Sequence, residues 1–138
     1  MIVLDTNVLS ETLRPRPSPQ VLEWLRRQPR TTLFTTSITE GEIRFGLELL
    51  PSGKRRAALQ SAIAHIFDVD MAGCVLPFDS AAAREFAAVA ASRRHTGSPI
   101  SQADAQIAAI VRSRGAVLAT RNIQDFVDCG FAVIDPWR

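Results

Sequence analysis

Five short apolar runs, separated by longer stretches of helical periodicity, constrain the fold of this chain more than any other feature. Each run is bounded by turn residues and is typical of a buried strand, and most intervals are long enough for one or two helices. The runs are IVL (2–4), LFT (33–35), VLPF (75–78), AVLA (116–119) and AVI (132–134). Because short strands alternate with helices, the sequence predicts an α/β fold with a parallel sheet.

Cap and stop residues predict where several of the helices begin and end. The predicted starts are Ser18-Pro19, Ser37 with Glu40, Asp79-Ser80 and Ser101, and the predicted stops are Gly97 and Gly115. No internal repeat or linker interrupts this order of elements. We therefore expect residues 1–138 to form one domain.

Composition excludes several classes of protein. No apolar run approaches the roughly 18 to 20 residues of a membrane span, so we expect a cytoplasmic protein with no membrane contact. Cys74 and Cys129 lack the spacing of metal ligands, which argues against structural zinc. The net charge of +2 is too small to indicate nucleic-acid binding by itself.

The basic residues are almost all arginine, because Lys54 is the only lysine among sixteen. Arginine suits bidentate contact with phosphate, although an arginine-rich composition explains the same count. The clusters Arg26-Arg27, Lys54-Arg55-Arg56 and Arg93-Arg94 are expected to be solvated helix faces.

Polar residues stand where three of the predicted strands end. Asp5 follows the first strand, Asp79 the third and Thr120-Arg121-Asn122 the fourth. Open parallel sheets place their ligand sites outside the carboxyl ends of the strands. We therefore expect chemistry at this edge of the sheet.

Two further acids fall on helix faces that the sequence predicts to be buried. At about 100° per residue, Glu42 lies inside an apolar arc that includes Ile38, Phe45 and Leu49. Asp104 lies in the same way within the apolar stripe of residues 100–111.

Helix capping is the alternative explanation for all three acids. Thr39-x-x-Glu42 and Ser101-x-x-Asp104 have the spacing of a capping box, and Asp5 can cap the helix that follows it. Together, however, the acids would project toward one region, where ionised carboxylates repel each other unless a cation joins them. A divalent metal with oxygen ligands, Mg²⁺ or Mn²⁺, is the simplest counter-charge.

Over essentially the whole chain the motifs resemble those of the PIN-domain ribonucleases, in particular the VapC-type toxins of toxin–antitoxin modules and their FitB-like subgroup. The matching segments are LDTNVLSE (4–11), SITEGEIRFG (37–46), ISQADAQIAA (100–109), ATRNIQDF (119–126) and DPW (135–137). The resemblance implies a sheet of about five parallel strands flanked by helices on both faces. It also implies cleavage of RNA supported by Mg²⁺ or Mn²⁺, a cognate antitoxin, and a homodimer that can join a larger toxin–antitoxin complex.

Carried over residue by residue, the resemblance makes Asp5, Glu42 and Asp104 the core acids, both as catalytic residues and as metal ligands. The fourth position is open. FitB-like proteins have an acid where Asn122 stands, whereas other PIN toxins have one three residues later, which corresponds to Asp125.

Other residues of these motifs have supporting roles in the family. Thr6, Asn7 and Thr120 are expected to orient the ligands or bound water, and Arg121 to contact phosphate. Because Asn122 is uncharged, a rival interpretation is a catalytically weak PIN scaffold that serves as a binding module.

Overall fold

The computed structural model describes residues 1–138, in which six α-helices and five β-strands follow one another. In chain order they are β1 (Ile2–Leu4), α1 (Thr6–Thr12), α2 (Pro19–Arg27), β2 (Leu33–Thr36), α3 (Ser37–Glu48), α4 (Lys54–His65), β3 (Val75–Leu76), α5 (Ser80–His95), α6 (Gln102–Ser113), β4 (Val117–Ala119) and β5 (Val133–Ile134). Short 3-10 turns lie at Arg30–Thr32 and Ile123–Phe126, and a π-helical turn at Ile66–Asp70 extends α4. Each predicted apolar run coincides with or overlaps a strand, so the predicted α/β fold is confirmed.

The five strands form one parallel sheet in the order β3-β2-β1-β4-β5. The chain builds the sheet to one side of β1 first and then crosses to the other side, so the order reverses between β1 and β4. In that pair Leu4 lies opposite Ala119. Such a reversal leaves a crevice at the carboxyl ends of the two strands, and Asp5 and Thr120 are the residues that follow them.

Helices cover both faces of the sheet, as predicted. Val3 and Leu118 point to one face and pack with α5 and α6, whereas their neighbours Leu4 and Ala119 point to the other and pack with α1 to α4. This division follows from the alternation of side chains along a strand. No helix combines the length and the apolar character that crossing a membrane requires.

Most of the predicted helix boundaries are confirmed. Ser18, Asp79 and Ser101 cap α2, α5 and α6. Helix α3 differs, because Thr36 is its cap and Ser37 is already helical. Gly97 and Gly115 follow the ends of α5 and α6 with φ of 73° and 60°, a conformation that glycine adopts without strain.

Candidate active site

Asp5 lies at the crevice between β1 and β4, where three donors hold its carboxylate. The Thr6 amide donates to Oδ1 at 2.8 Å, and the Thr120 hydroxyl donates to Oδ2 at 2.7 Å. The Asn7 side-chain amide also donates to Oδ2, at 3.3 Å. Asp5 does cap α1, as the capping alternative proposed, but its second oxygen also accepts from Thr120 at the end of β4.

Burial raises the pKa of Asp5 to about 6, and only 4% of the residue is exposed. The hydrogen bonds from Thr120 and Thr6 act in the opposite direction, while the charges of Asp104 and Glu42 raise the pKa further. Asp5 is therefore an ionised group at neutral pH in a place that disfavours its charge. Such a carboxylate gains from a bound cation.

The Thr120 hydroxyl links the end of β4 to the start of α1 through three hydrogen bonds. Its hydroxyl oxygen accepts from the Asn7 side chain and from the Asn122 amide, each at 3.1 Å, while it donates to Asp5. The side-chain Oδ1 atom of Asn7 accepts from the Arg121 amide at 3.2 Å. These bonds fix the position of Asp5 and of the backbone that carries Arg121 and Asn122.

Glu42 reaches the same site from α3. Its Oε1 accepts from the Thr6 hydroxyl at 2.6 Å, and the hydroxyls of Thr6 and Thr39 lie 3.1 Å apart. The Thr39–Glu42 capping box is not formed, because the Thr36 hydroxyl accepts from the Thr39 amide and caps the helix.

The predicted burial of Glu42 is wrong. Thr39, Ile43 and Leu47 form the buried face of α3, and Glu42 is exposed. The apolar arc expected to surround it is open as well, since Phe45 is 64% and Leu49 68% exposed. A helical wheel gives the angles between side chains, but it does not say which part of a wide apolar arc is buried by the neighbouring elements.

Asp104 is half-buried in the first turn of α6, where the Ser101 hydroxyl accepts from its amide at 3.2 Å. Burial is the main cause of a raised pKa at Asp104, and the Ser101 hydroxyl opposes it. The charges of Asp125 and Glu42 raise the pKa and that of Arg93 lowers it. Asp104 is thus electrostatically coupled to two of the other predicted site acids.

Both residues proposed for the fourth position are exposed and lie around one short turn. The Asp125 amide donates to the Asn122 carbonyl at 3.1 Å. Asp125 acts on the pKa of Asp104, whereas Asn122 carries no charge. The geometry therefore brings Asp125 within electrostatic range of Asp104.

The predicted site acids are set apart from most other acids by their lack of a basic partner. Eight of the fourteen acidic residues make an ion pair. The six that do not are Asp5, Glu42, Asp68, Asp104, Asp125 and Asp128. Asp79, the third strand-end acid, differs from them, because it is paired with Arg114 at 3.9 Å and caps α5.

The donor set of the site fits a hard divalent cation, since every polar atom that the acids offer is a carboxylate oxygen. As the side chains stand, no three acidic, histidine or cysteine groups converge closely enough to ligate one ion. Carboxylates with no cation between them repel each other. The charges of Glu42 and Asp104 both raise the pKa of Asp5, so the three carboxylates interact electrostatically. A cation bound between them would attract all three.

Sequence reasoning missed the role of Arg93, which was expected on a solvated face. Arg93 is buried, and it donates to the carbonyls of Ser98 at 2.7 Å, Asp125 at 2.8 Å and Val127 at 3.3 Å. The side chain therefore ties α5 to the loop that carries Asp125. The pattern Arg93-Arg94 gives no signal for this, because the carbonyls of Asp125 and Val127 lie 32 and 34 residues away in the chain.

A groove of about 670 Å³ lies beside the site. Its walls are α1, α3 and α4, and its lining is largely apolar, with Leu13, Leu47 and Leu59 among the contributors. Thr6 and Glu42 belong to both the groove and the acid site. A ligand lying in this groove would therefore reach the carboxylates.

Comparison with known proteins assigns the family. The model of the PIN domain matches residues 2–131. VapC ribonuclease Y4jK of Sinorhizobium fredii is 42% identical over 138 residues, which are 100% of this chain and 99% of that protein. Toxin FitB of Neisseria gonorrhoeae is 36% identical over 138 residues, again 100% and 99% of the two chains. A solved structure of FitAB bound to an IR36 DNA fragment superposes with a TM-score of 0.94 at 36% identity, covering 100% of this chain and 96% of that one. The chain belongs to the PIN-domain family, and within it to the group of the VapC and FitB proteins.

Proposed function

We propose that this chain is the toxin of a type II toxin–antitoxin system and that it acts in the cytoplasm as a Mg²⁺- or Mn²⁺-dependent endoribonuclease. The observation that carries the proposal is the set of four acids without basic partners, Asp5, Glu42, Asp104 and Asp125, around the crevice of a PIN fold. The relatives named as VapC ribonuclease and Toxin FitB support it.

In this proposal Asp5, Asp104 and Glu42 hold the metal, and Asn122 offers a neutral oxygen. When bound, a divalent ion supplies a Lewis acid that lowers the pKa of the attacking water and neutralises charge on the phosphoryl oxygens. Thr120 keeps the Oδ2 atom of Asp5 turned toward the crevice through its 2.7 Å hydrogen bond. Orientation of a metal ligand by such an outer contact is a general feature of metal sites.

The remaining groups of the site position water and RNA. Asp125 is exposed and accepts no bond that would compete with water, so its carboxylate is placed to take the proton of the attacking water. Glu42 is the alternative base, although its Oε1 already accepts from Thr6. Arg121 is exposed and without an acidic partner, which suits contact with a phosphate of the RNA backbone.

Cleavage of RNA by the purified protein tests this proposal. We expect activity with Mn²⁺ or Mg²⁺, none with EDTA, and loss of most activity in Asp5→Asn. Asp68→Asn is the control substitution, because Asp68 likewise makes no ion pair but is exposed and lies in the π-helical turn after α4. Asp5→Asn protein that cleaved RNA as fast as the wild type would remove the basis of the proposal.

A catalytically weak binding module is the second candidate, and Asn122 is the observation that favours it. One carboxylate fewer than in FitB-like sites weakens the attraction for a divalent ion. This candidate predicts that RNA binds but stays intact at saturating Mn²⁺, which the same cleavage assay measures.

We further infer that an antitoxin peptide occupies the groove between α1, α3 and α4. Its apolar lining suits one face of an amphipathic helix. An arginine of that peptide could reach Glu42 and compete with metal for the site. Expression of the chain alone is expected to inhibit growth of a bacterial host, and harmless expression of active protein would argue against a toxin.

The exposed apolar residues of α3 suggest how the chain associates with itself. Phe45 and Leu49 lie one turn apart and are the two most exposed large hydrophobic residues, which is costly in a monomer. We propose that residues 1–138 form a single domain and that two copies meet at this pair in a homodimer.

A further inference from the structure

Arg121 rests on an aromatic ring although unpaired acids surround the same crevice. Its guanidinium carbon lies 5.1 Å from the centroid of the Trp137 ring. Its amide donates to Asn7, and Asn7 in turn donates to the carboxylate of Asp5. The backbone of Arg121 is therefore fixed close to the acid site, and only its side chain can rotate to contact different groups.

Coulomb attraction alone would direct the Arg121 guanidinium to a carboxylate and not to the Trp137 ring. Arg121 makes no ion pair within 4.0 Å, although its backbone is linked through Asn7 to the unpaired acid Asp5. An exposed cation–π contact and an exposed ion pair have similar strength, so a well-placed ring is sufficient to decide the conformation.

The Trp137 ring is held where Arg121 can reach it. Strand β5 pairs with β4, and the Thr120 amide donates to the Ile134 carbonyl at 2.9 Å, which brings the segment after β5 to the same edge of the sheet. The Trp137 amide donates to Asp135 Oδ1 at 2.9 Å, and its side chain packs against the apolar cluster under α1 to α4. The ring is thus a fixed platform.

The contact with Trp137 leaves the N–H groups of the guanidinium free, because the Arg121 side chain donates no hydrogen bond and makes no ion pair within the chain. The in-plane N–H groups of arginine are the ones that form bidentate hydrogen bonds with phosphate. Arg121 on Trp137 therefore remains able to bind an anion.

We propose that Trp137 holds Arg121 outside the carboxylate pocket and presents it to a backbone phosphate of the RNA next to the one that is cleaved. The inference rests on the proposed ribonuclease function, since it assumes a metal in the pocket and RNA across its mouth. Without the ring, the guanidinium is free to turn to the acids and compete with the metal. Trp137 is thus a positioning residue that acts through Arg121.

A double-mutant cycle in metal binding tests the first half of the proposal. Mn²⁺ is titrated calorimetrically into the wild type, Trp137→Leu, Arg121→Gln and the double variant, with no RNA present. Leucine retains apolar packing but has no π face. We expect Trp137→Leu to bind Mn²⁺ about two- to fivefold more weakly, and the double variant to return to the wild-type affinity or exceed it.

Two results of the cycle would overturn the proposal. One is unchanged Mn²⁺ affinity in Trp137→Leu, and the other is a double variant as weak as Trp137→Leu, which would mean that the ring acts on the fold and not through Arg121. A wild type that bound no Mn²⁺ would instead refute the proposed function.

RNA binding tests the second half without relying on folding of the tryptophan variant. A short single-stranded RNA is titrated in EDTA, where cleavage is blocked, at several salt concentrations. We expect Arg121→Gln to weaken binding and to reduce the slope of log K against log salt by about 0.7, the value for one phosphate of a single strand. Arg138→Gln is the matched control, since Arg138 is an exposed arginine beside Trp137 that pairs with Asp135. Equal slopes in the wild type and in Arg121→Gln would refute the phosphate contact.

Discussion

Replacing Asp5 by asparagine should make the metal-free protein more stable at neutral pH, although it removes a residue that the proposed activity requires. The carboxylate is buried, carries a charge at neutral pH and has no basic partner. A neutral side chain of the same shape avoids that cost. Residues placed for chemistry commonly reduce stability in this way.

The size of the effect follows from the pKa of Asp5, which burial raises from 3.8 to about 6. Each unit of difference corresponds to about 1.4 kcal/mol, so ionisation of Asp5 costs the folded state about 3 kcal/mol. The folded state holds the proton of Asp5 more tightly than the unfolded state does. Protonated Asp5 therefore contributes stability that is fully present below pH 3.8 and is lost as the pH rises through 6. Asparagine gives up the bond that Thr120 donates to Oδ2, which costs about 1 to 2 kcal/mol at any pH.

Urea denaturation in EDTA measures both contributions. At about pH 7.5 Asp5→Asn should be more stable than the wild type by about 1 to 2 kcal/mol, and at about pH 4 it should be less stable by a similar amount. Asp104 also has a raised pKa, but it is present in both proteins and its effect largely cancels. A difference in the free energy of unfolding that stayed constant from pH 4 to 7.5 would refute the reasoning.

Three further predictions concern the loop after β4 and the exposed face of α3. Arg93→Met should lower the free energy of unfolding by about 2 to 4 kcal/mol in the same urea assay, because it leaves three carbonyls without their donor. Arg94 is the exposed neighbour of Arg93, and Arg94→Met should change the free energy of unfolding by less than about 0.5 kcal/mol. Asn122→Asp should tighten Mn²⁺ binding and Asp125→Ala should loosen it, each by roughly 5- to 150-fold in calorimetric titration; unchanged affinity in Asp125→Ala would leave a site of three acids. Phe45→Glu should convert the proposed homodimer to a monomer in sedimentation velocity, and a dimer that persisted would place the contact elsewhere.

The positions of Asp5 and Thr120 could be predicted from the sequence because strands define them. Each residue follows a short apolar run, and adjacent parallel strands bring such residues to one edge of the sheet. The order of strands was not needed in detail, since any arrangement that pairs β1 with β4 joins these two residues. The 2.7 Å hydrogen bond from the Thr120 hydroxyl to Asp5 Oδ2 follows from this pairing of the two strands.

Helix faces and loop contacts could not be predicted in the same way. The predicted apolar arc of helix α3 runs from Phe45 and Leu49 round to Ile43 and Leu47, and the structure buries only the Ile43 and Leu47 end of it. The buried arc was decided by how α3 packs against its neighbours. The burial of Arg93 likewise depends on carbonyls that only the folded chain brings within reach. Arg93 is therefore buried and hydrogen-bonded, although the sequence predicted a solvated arginine pair.

The most direct test of the metal site is a crystal of the protein grown with Mn²⁺, with the ion located by its anomalous scattering. We predict a peak bound by carboxylate oxygens of Asp5 and Asp104, with Glu42 or Asp125 drawn in from its present position. Oxygen–metal distances of about 2.0 to 2.3 Å would identify direct ligands. A crystal saturated with Mn²⁺ that had no peak at Asp5, or had its peak at the paired acid Asp79 instead, would contradict the assignment of this crevice as the active site.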